Sequence, residues 1–296
     1  MTEPPSPSPV LLERLATSRF LTDHARPSVG TGERRSADKG AGMEFADHRP
    51  YLSGDDVRHI DARVLARLGQ PYVRQYSVDR QLPILVVLDA TRSMAHGEPD
   101  KLAFALSLAR TLGFVGLAGG DVVQGCVFAG ERLHYSPRVQ GTSRAQHLFD
   151  WFGKFGPEGH RSFAEGLGKA LPAARRRSLV IVISDFLFEG IDDLMRRAGG
   201  ARDLEILAVH IASPDELNPA LLGSGPVYLV DAETGAEIEV TLDDAVCTSY
   251  RETFARWQDT IRSAIRRRFG RYHCFSTATG LEQVFLHEFR RTGVIT

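Results

Sequence analysis

Residues 82–94 read Leu-Pro-Ile-Leu-Val-Val-Leu-Asp89-Ala-Thr91-Arg-Ser93-Met. The apolar run ending at Leu88 has the length and composition of a strand buried on both faces. It stops at a carboxylate, and two hydroxyls follow at alternate positions. A helical pattern begins near Pro99. The stretch therefore predicts a buried strand that delivers Asp89, Thr91 and Ser93 to a loop at its carboxyl end. Doubly wound α/β sheets bind ligands at that edge.

An ionised carboxylate and two neutral hydroxyls are hard oxygen donors. They suit Mg²⁺, with Mn²⁺ or Ca²⁺ as alternatives, and not zinc or iron, which favour nitrogen or sulfur. So few negative charges leave such an ion electrophilic and partly hydrated, able to accept a further carboxylate from a partner or substrate. The bland alternative is a turn in which Thr91 and Ser93 cap the next helix and Asp89 bonds loop amides. Two further features bear on the choice. A second buried run, 179–184, ends in an acid, Asp185. Between the two runs, Gly159-His-Arg-Ser162-Phe-Ala-Glu-Gly166 sets a hydroxyl just before a helix. Ser162 is either that helix's N-cap or a third hydroxyl over the same edge. The expectation is one pocket built from Asp89, Thr91, Ser93, Ser162 and Asp185.

The pattern alternates outward from the central run. Helices are predicted over 100–117, 142–152, 162–173 and 191–198, and strands over 121–128, 132–135, 179–184, 204–211 and 227–230. The tight link before 132 implies an antiparallel pair; the rest argues a doubly wound, mostly parallel α/β sheet. Toward the C-terminus a strand is predicted over 236–242, a long amphipathic helix over 248–269, a strand over 272–275 and a closing helix over 281–291. Toward the N-terminus a helix is predicted over 10–22 after a proline-rich tail. Residues 30–42 read as a glycine-punctuated polar loop lacking the Gly-Lys-Ser/Thr of a P-loop. Residues 44–61 are dense in charge and turn residues and read as an ion-paired loop, with Asp55 or Asp56 capping a helix start. Residues 71–81 read as extended.

Composition sets bounds on function. The 296 residues carry 36 basic and 37 acidic side chains, a net charge of −1, so no global attraction to nucleic acid or an anionic membrane is expected. Arg266-Arg267-Arg268 sits at a predicted helix end, where cations suit the dipole. Cys126, Cys247 and Cys274 form no CxxC pair and read as reduced thiols. No run approaches the roughly 20 apolar residues of a membrane helix, and the N-terminus lacks a signal-peptide pattern. These point to a cytoplasmic chain with no membrane span.

Asp-x-Thr-x-Ser, a later hydroxyl at a helix start and a strand-end Asp resemble the metal-ion-dependent adhesion site of von Willebrand factor A domains. That resemblance implies Mg²⁺ at the sheet edge and recruitment of a partner's carboxylate. The usual pattern is Asp-x-Ser-x-Ser with a Thr in the second loop; Thr91 and Ser162 differ but keep the hydroxyl oxygen. A longer stretch, Arg49-Pro50-Tyr51-Leu-Ser-Gly54-Asp55-Asp56-Val-Arg58-His-Ile60-Asp61 with Val73-Arg74 and the Asp89 strand, is similar to the bacterial family called domain of unknown function fifty-eight. Members usually carry Trp after the last Asp, where this chain has Ala62. The resemblance implies a tail and short helix over 1–29 and a signature extension over 30–81. A von Willebrand factor A-like core would span 82–235, with 236–296 completing the same domain. It also implies a MoxR-type AAA+ ATPase partner acting in protein remodelling or complex maturation.

Two functions follow as expectations. One is a non-enzymatic protein-binding module with an adhesion-type metal site. The other is a Mg-dependent phosphoryl-transfer enzyme of the haloacid dehalogenase type using Asp89 as nucleophile. In that class many phosphatases carry a second Asp two residues on, a place Thr91 occupies. No HExxH, GxSxG or Cys–His pair supports another catalyst.

Overall fold

The computed structural model describes residues 6–22, 43–78, 81–159, 161–198, 203–230 and 235–296. The loop predicted over 30–42 and the start of the proline-rich tail lie outside them. The chain forms two compact units, residues 25–81 and residues 1–24 with 82–296.

Helix α1 (Pro9–Leu15) begins where the Ser8 hydroxyl accepts from the Leu11 amide at 3.2 Å. It ends short of the predicted residue 22 because the C-terminus claims the following backbone. Phe20 bridges Ile295, and the Thr296 amide donates to the Arg19 carbonyl.

In the smaller unit the predicted loop over 44–61 is in part a strand. Strand β1 (Met43–Pro50) pairs antiparallel with β2 (Tyr72–Val78). Helix α2 (Ala62–Leu68) lies between them in sequence and ends at Gly69 in the left-handed conformation. Three acids of the charged stretch have structural partners. Asp55 takes a bidentate pair from Arg49, at 2.6 and 2.7 Å, and the Leu52 amide at 2.9 Å. The Arg49 guanidinium, with the Leu52 amide, holds the Asp55 carboxyl down at about 2. Asp56 caps a single helical turn, Val57–His59. Asp61 caps α2 through the Arg63 and Val64 amides and meets His48 Nε2 at 3.0 Å.

In the larger unit, β3 (Pro83–Asp89) is central. It is followed by α3 (Lys101–Ala118), β4 (Val122–Ala129), β5 (Arg132–Tyr135) and the short β6 (Val139–Gln140). Then come α4 (Ala145–Phe152), α5 (Phe163–Ala173), β7 (Leu179–Ser184), α6 (Ile191–Ala198), β8 (Glu205–Ala212) and α7 (Pro214–Leu217). Strands β9 (Gly225–Val230) and β10 (Glu237–Leu242), helix α8 (Asp244–Arg266), β11 (Arg271–Ser276) and a π-helical stretch over Gln283–Phe289 complete it.

The main sheet runs β11-β8-β7-β3-β4-β5, with β6 also against β4. All pairs are parallel except those of β5 and β6 with β4. Counted in chain order along that path, this is the 3-2-1-4-5-6 order of doubly wound sheets, whose direction of winding reverses between β3 and β7. The strands predicted over 227–230 and 236–242 do not join it: β9 and β10 pair with each other as a separate antiparallel ribbon. Their side chains explain this, since most of both strands is exposed, whereas β7 and β8 are buried throughout.

Period-two alternation sorts the buried strands onto two cores. Ile84, Val86, Leu88, Ile181, Ile183, Val209 and Ile211 face the α1, α3 and α4 side with the C-terminal helix. Leu85, Val87, Val180, Val182, Ile206 and Ala208 face α5, α6 and α8. Among the described residues α3 is the one helix long and apolar enough to cross a membrane, and 89% of it is buried inside the fold. Gly166 lets α5 lie against β4: a Cβ there would stand 2.5 Å from the Phe128 ring. Phe128 pairs in register with Asp89, so this close approach sets α5's N-terminus beside the Asp89 end of the sheet.

Candidate functional site

Asp89, Thr91 and Ser93 are all buried, at 1%, 2% and 9% exposure. Strand β3 ends at the Asp89 carboxylate, and a single helical turn, Arg92–Ala95, follows Thr91. The chain folds back so that Asp89 Oδ1 accepts from the Thr91 amide at 3.0 Å and from its hydroxyl at 2.7 Å. The Thr91 and Ser93 hydroxyl oxygens are 3.1 Å apart. Neither hydroxyl caps that turn, which carries no side-chain cap bond.

The second loop is tied to the first. The Glu158 amide donates to the Ala90 carbonyl at 2.9 Å, and the Gly130 amide to the Glu158 carbonyl at 3.1 Å. Ser162 lies four residues on and caps α5, its hydroxyl accepting from the Ala164 amide at 3.3 Å. Among the described residues no hydrogen bond joins it to Asp89, Thr91 or Ser93.

Asp185 leaves the end of β7, the neighbour of β3 across the winding reversal. Its field reaches Asp89: burial first, and then the Asp185 charge, push the Asp89 carboxyl up to about 7 against the hydrogen bonds that favour its ionised form. Asp185 itself is held elsewhere. Lys101, 1% exposed at the start of α3, places Nζ 3.0 Å from Asp185 Oδ2 and 2.6 Å from Glu216 Oε1. Burial works against the ammonium, but Asp185 and Glu216 outweigh it and raise the Lys101 pKa.

Three contributors are absent from the sequence reading. Ser184 donates to Asp89 Oδ2 at 2.6 Å and accepts from the Phe186 amide at 2.8 Å; its only signal was a polar residue closing an apolar strand. Lys101 stood out only as a charge opening an apolar helix. Glu216 follows Ser213 at capping-box spacing and its side chain accepts from the Ser213 amide, but its second partner, 115 residues away, left no local trace. On the next strand, burial pushes the His210 imidazole down to about 4; Asp185 opposes this and Lys101 adds to it.

The donor set passes a geometric test for Mg²⁺. Cis ligands of an octahedral ion at about 2.0–2.1 Å lie roughly 3 Å apart, the spacing of the Thr91 and Ser93 oxygens. Hydroxyls keep lone pairs while donating to a carboxylate. Asp185 does not fit as an unencumbered ligand, because the Lys101 ammonium occupies it. Among the described residues no group of three or more His, Cys, Asp or Glu side chains is placed to hold a metal, so any cation here depends on hydroxyl donors.

A doubly wound sheet with an Asp-x-Thr-x-Ser loop at the winding reversal is the arrangement expected from the resemblance to von Willebrand factor A domains. Residues 47–260 match the family described as "Protein of unknown function DUF58", and the chain belongs to that family. It is 30% identical over 267 residues to the uncharacterized proteins Rv1480 of Mycobacterium tuberculosis and Mb1516 of Mycobacterium bovis, covering 88% of this chain and 81% of each relative. Among solved structures it is similar to the SpRpn10 VWA domain, with TM-score 0.41, 8% identity and coverage of 71% of this chain and 95% of that one. It is also similar to proximal thread matrix protein 1 from the mussel byssus, with TM-score 0.33, 15% identity and coverage of 45% and 36%. Strand order and register define the fold.

Proposed function

We propose that this protein is a non-enzymatic binding module. In this reading Asp89, Thr91 and Ser93 hold Mg²⁺ at the carboxyl edge of the sheet and offer it to an acidic side chain of a partner protein. The partner is a MoxR-type AAA+ ATPase, and the pair acts in protein remodelling or complex maturation. The observation that carries the reading is the 3.1 Å spacing of two buried hydroxyl oxygens next to a buried carboxylate. When bound, the cation would supply an open coordination position; the chain's own residues orient the donors and shield them from bulk water. Ser184 fixes one Asp89 oxygen and the Thr91 amide the other.

The alternative, an aspartyl-phosphate enzyme, sits less well with the geometry. Thr91 stands where a general acid is needed, and its hydroxyl donates to Asp89. Calorimetry with Mg²⁺ on the wild type and Asp89→Ala tests the proposal, together with chelator-sensitive binding of the ATPase. Heat of binding in the wild type alone, and ATPase binding lost on chelation or in Asp89→Ala, is expected. No heat in either protein with unchanged ATPase binding would end the proposal. Hydrolysis of generic phosphate esters abolished by Asp89→Asn would replace it with the enzyme.

A further inference from the structure

Lysine is among the residues least often fully buried, and it is tolerated inside a fold when paired. Lys101 is 1% exposed and sits where β7 and the turn after β8 meet the start of α3. Its ammonium bridges Asp185 of one and Glu216 of the other. Glu216 is fixed in turn, its Oε2 accepting from the Ser213 amide at 2.8 Å. The remaining Asp185 oxygen, Oδ1, accepts from the Leu187 amide at 3.3 Å. Asp185, next in the chain to the Ser184 that bonds Asp89, therefore has both oxygens in use, one of them by a cation the chain carries itself.

We infer that Lys101 is a tethered cation that competes with a divalent metal for Asp185, and that it sets the metal affinity of this edge. The inference rests on the metal-binding reading of the Asp89 loop. Its physical basis is charge. A divalent ion seated at Asp89, Thr91 and Ser93 meets a buried, poorly screened ammonium of the same sign. To gain Asp185 as a partner it must displace that ammonium. Removal of the ammonium leaves Asp185, whose charge acts on Asp89, without its cation, so that a divalent ion at the loop meets an attracting charge where it met a repelling one. A wild-type edge that binds metal weakly and a Lys101-free edge that binds it tightly follow directly.

The test is Mg²⁺ calorimetry, with melting curves in the presence and absence of MgCl₂, on four proteins. These are the wild type, Lys101→Met, Lys101→Met/Glu216→Gln and Lys101→Met/Asp185→Asn. Lys101→Met is expected to bind Mg²⁺ at least tenfold more tightly than the wild type, and to recover with Mg²⁺ a melting temperature depressed without it. A lysine with a purely structural role would lower the melting temperature without tightening metal binding. Lys101→Met/Glu216→Gln buries one fewer unpaired acid, and it carries the test if the single variant does not fold. Lys101→Met/Asp185→Asn is expected to bind no more tightly than the wild type. Equal affinity in the wild type and both Asp185-bearing variants overturns the competition while leaving the Asp89 loop reading standing. Absence of Mg²⁺ binding throughout the series overturns both, and binding tighter in the Lys101-free, Asp185-bearing proteins than in the wild type upholds the competition.

Discussion

Asp89→Asn should be more stable than the wild type at pH 8 without divalent ions, by an amount on the order of a few kcal/mol. A carboxyl whose folded pKa is raised from 3.8 to about 7 contributes its full stability below the unfolded value. It loses that contribution as pH rises through the folded value. At pH 8 the wild type therefore holds an ionised Asp89 in a dry site beside Asp185. The gain comes from relief of burial and of the Asp185 charge, less whatever hydrogen bonding the amide fails to reproduce. Asparagine resembles the protonated carboxyl and removes the penalty. Its advantage should shrink as pH falls and vanish near pH 4. Denaturant unfolding at several pH values measures this, and a variant less stable than the wild type at pH 8 contradicts it. A stabilising substitution at the heart of a site is the usual sign that the native residue is kept for function. In the proposed account that function is the cation, which relieves the same penalty.

The second large effect runs the other way with pH. His210 is buried at 1% exposure, with its Nδ1 2.6 Å from the Tyr272 hydroxyl. The rings of Phe186, Phe254 and Tyr272 surround it, and Asp185 and Lys101 act on it at longer range. Its folded pKa, near 4, lies below the unfolded 6.5. The neutral ring therefore stabilises the fold fully above pH 6.5, and that stability drains away as pH falls toward 4. The loss should approach roughly 3 kcal/mol. In the wild type the opposing Asp89 slope masks much of it between pH 4 and 6.5. In Asp89→Asn the His210 slope should stand exposed, stability rising steeply with pH over that window. Adding His210→Asn should flatten it. An unchanged slope in the double variant would show that the buried imidazole is not its source.

The doubly wound sheet was legible because β3, β7 and β8 are short, continuous apolar runs bounded by acids, glycines and helical periodicity. Such runs are buried on both faces and admit few other placements. The antiparallel β5 was legible from its tight turn. Strand β1 was not, since Asp47, His48 and Arg49 carry the charge of a loop and owe their strand geometry to pairing with β2. The ribbon of β9 and β10 shows the converse: each has strand character, but too few buried faces to join the sheet. The closeness of Asp89, Thr91 and Ser93 was legible because they alternate within five residues at a strand end. Asp185 could be found because strand-end acids stand out. Lys101 could not, because a lysine opening a helix ordinarily points into water, and only the tertiary meeting of β7, α3 and the turn after β8 buries it. Glu216 was unreadable as the ammonium's partner for the same reason.

The most direct measurement is Mn²⁺ electron paramagnetic resonance on the wild type and Ser93→Ala, because free aqueous Mn²⁺ gives a six-line signal that protein binding suppresses. One suppressible equivalent at millimolar Mn²⁺ in the wild type, displaced by excess Mg²⁺ and lost in Ser93→Ala, is the result expected of an oxygen-ligated cation at this edge. Equal suppression in the two proteins, or none in either, would contradict it.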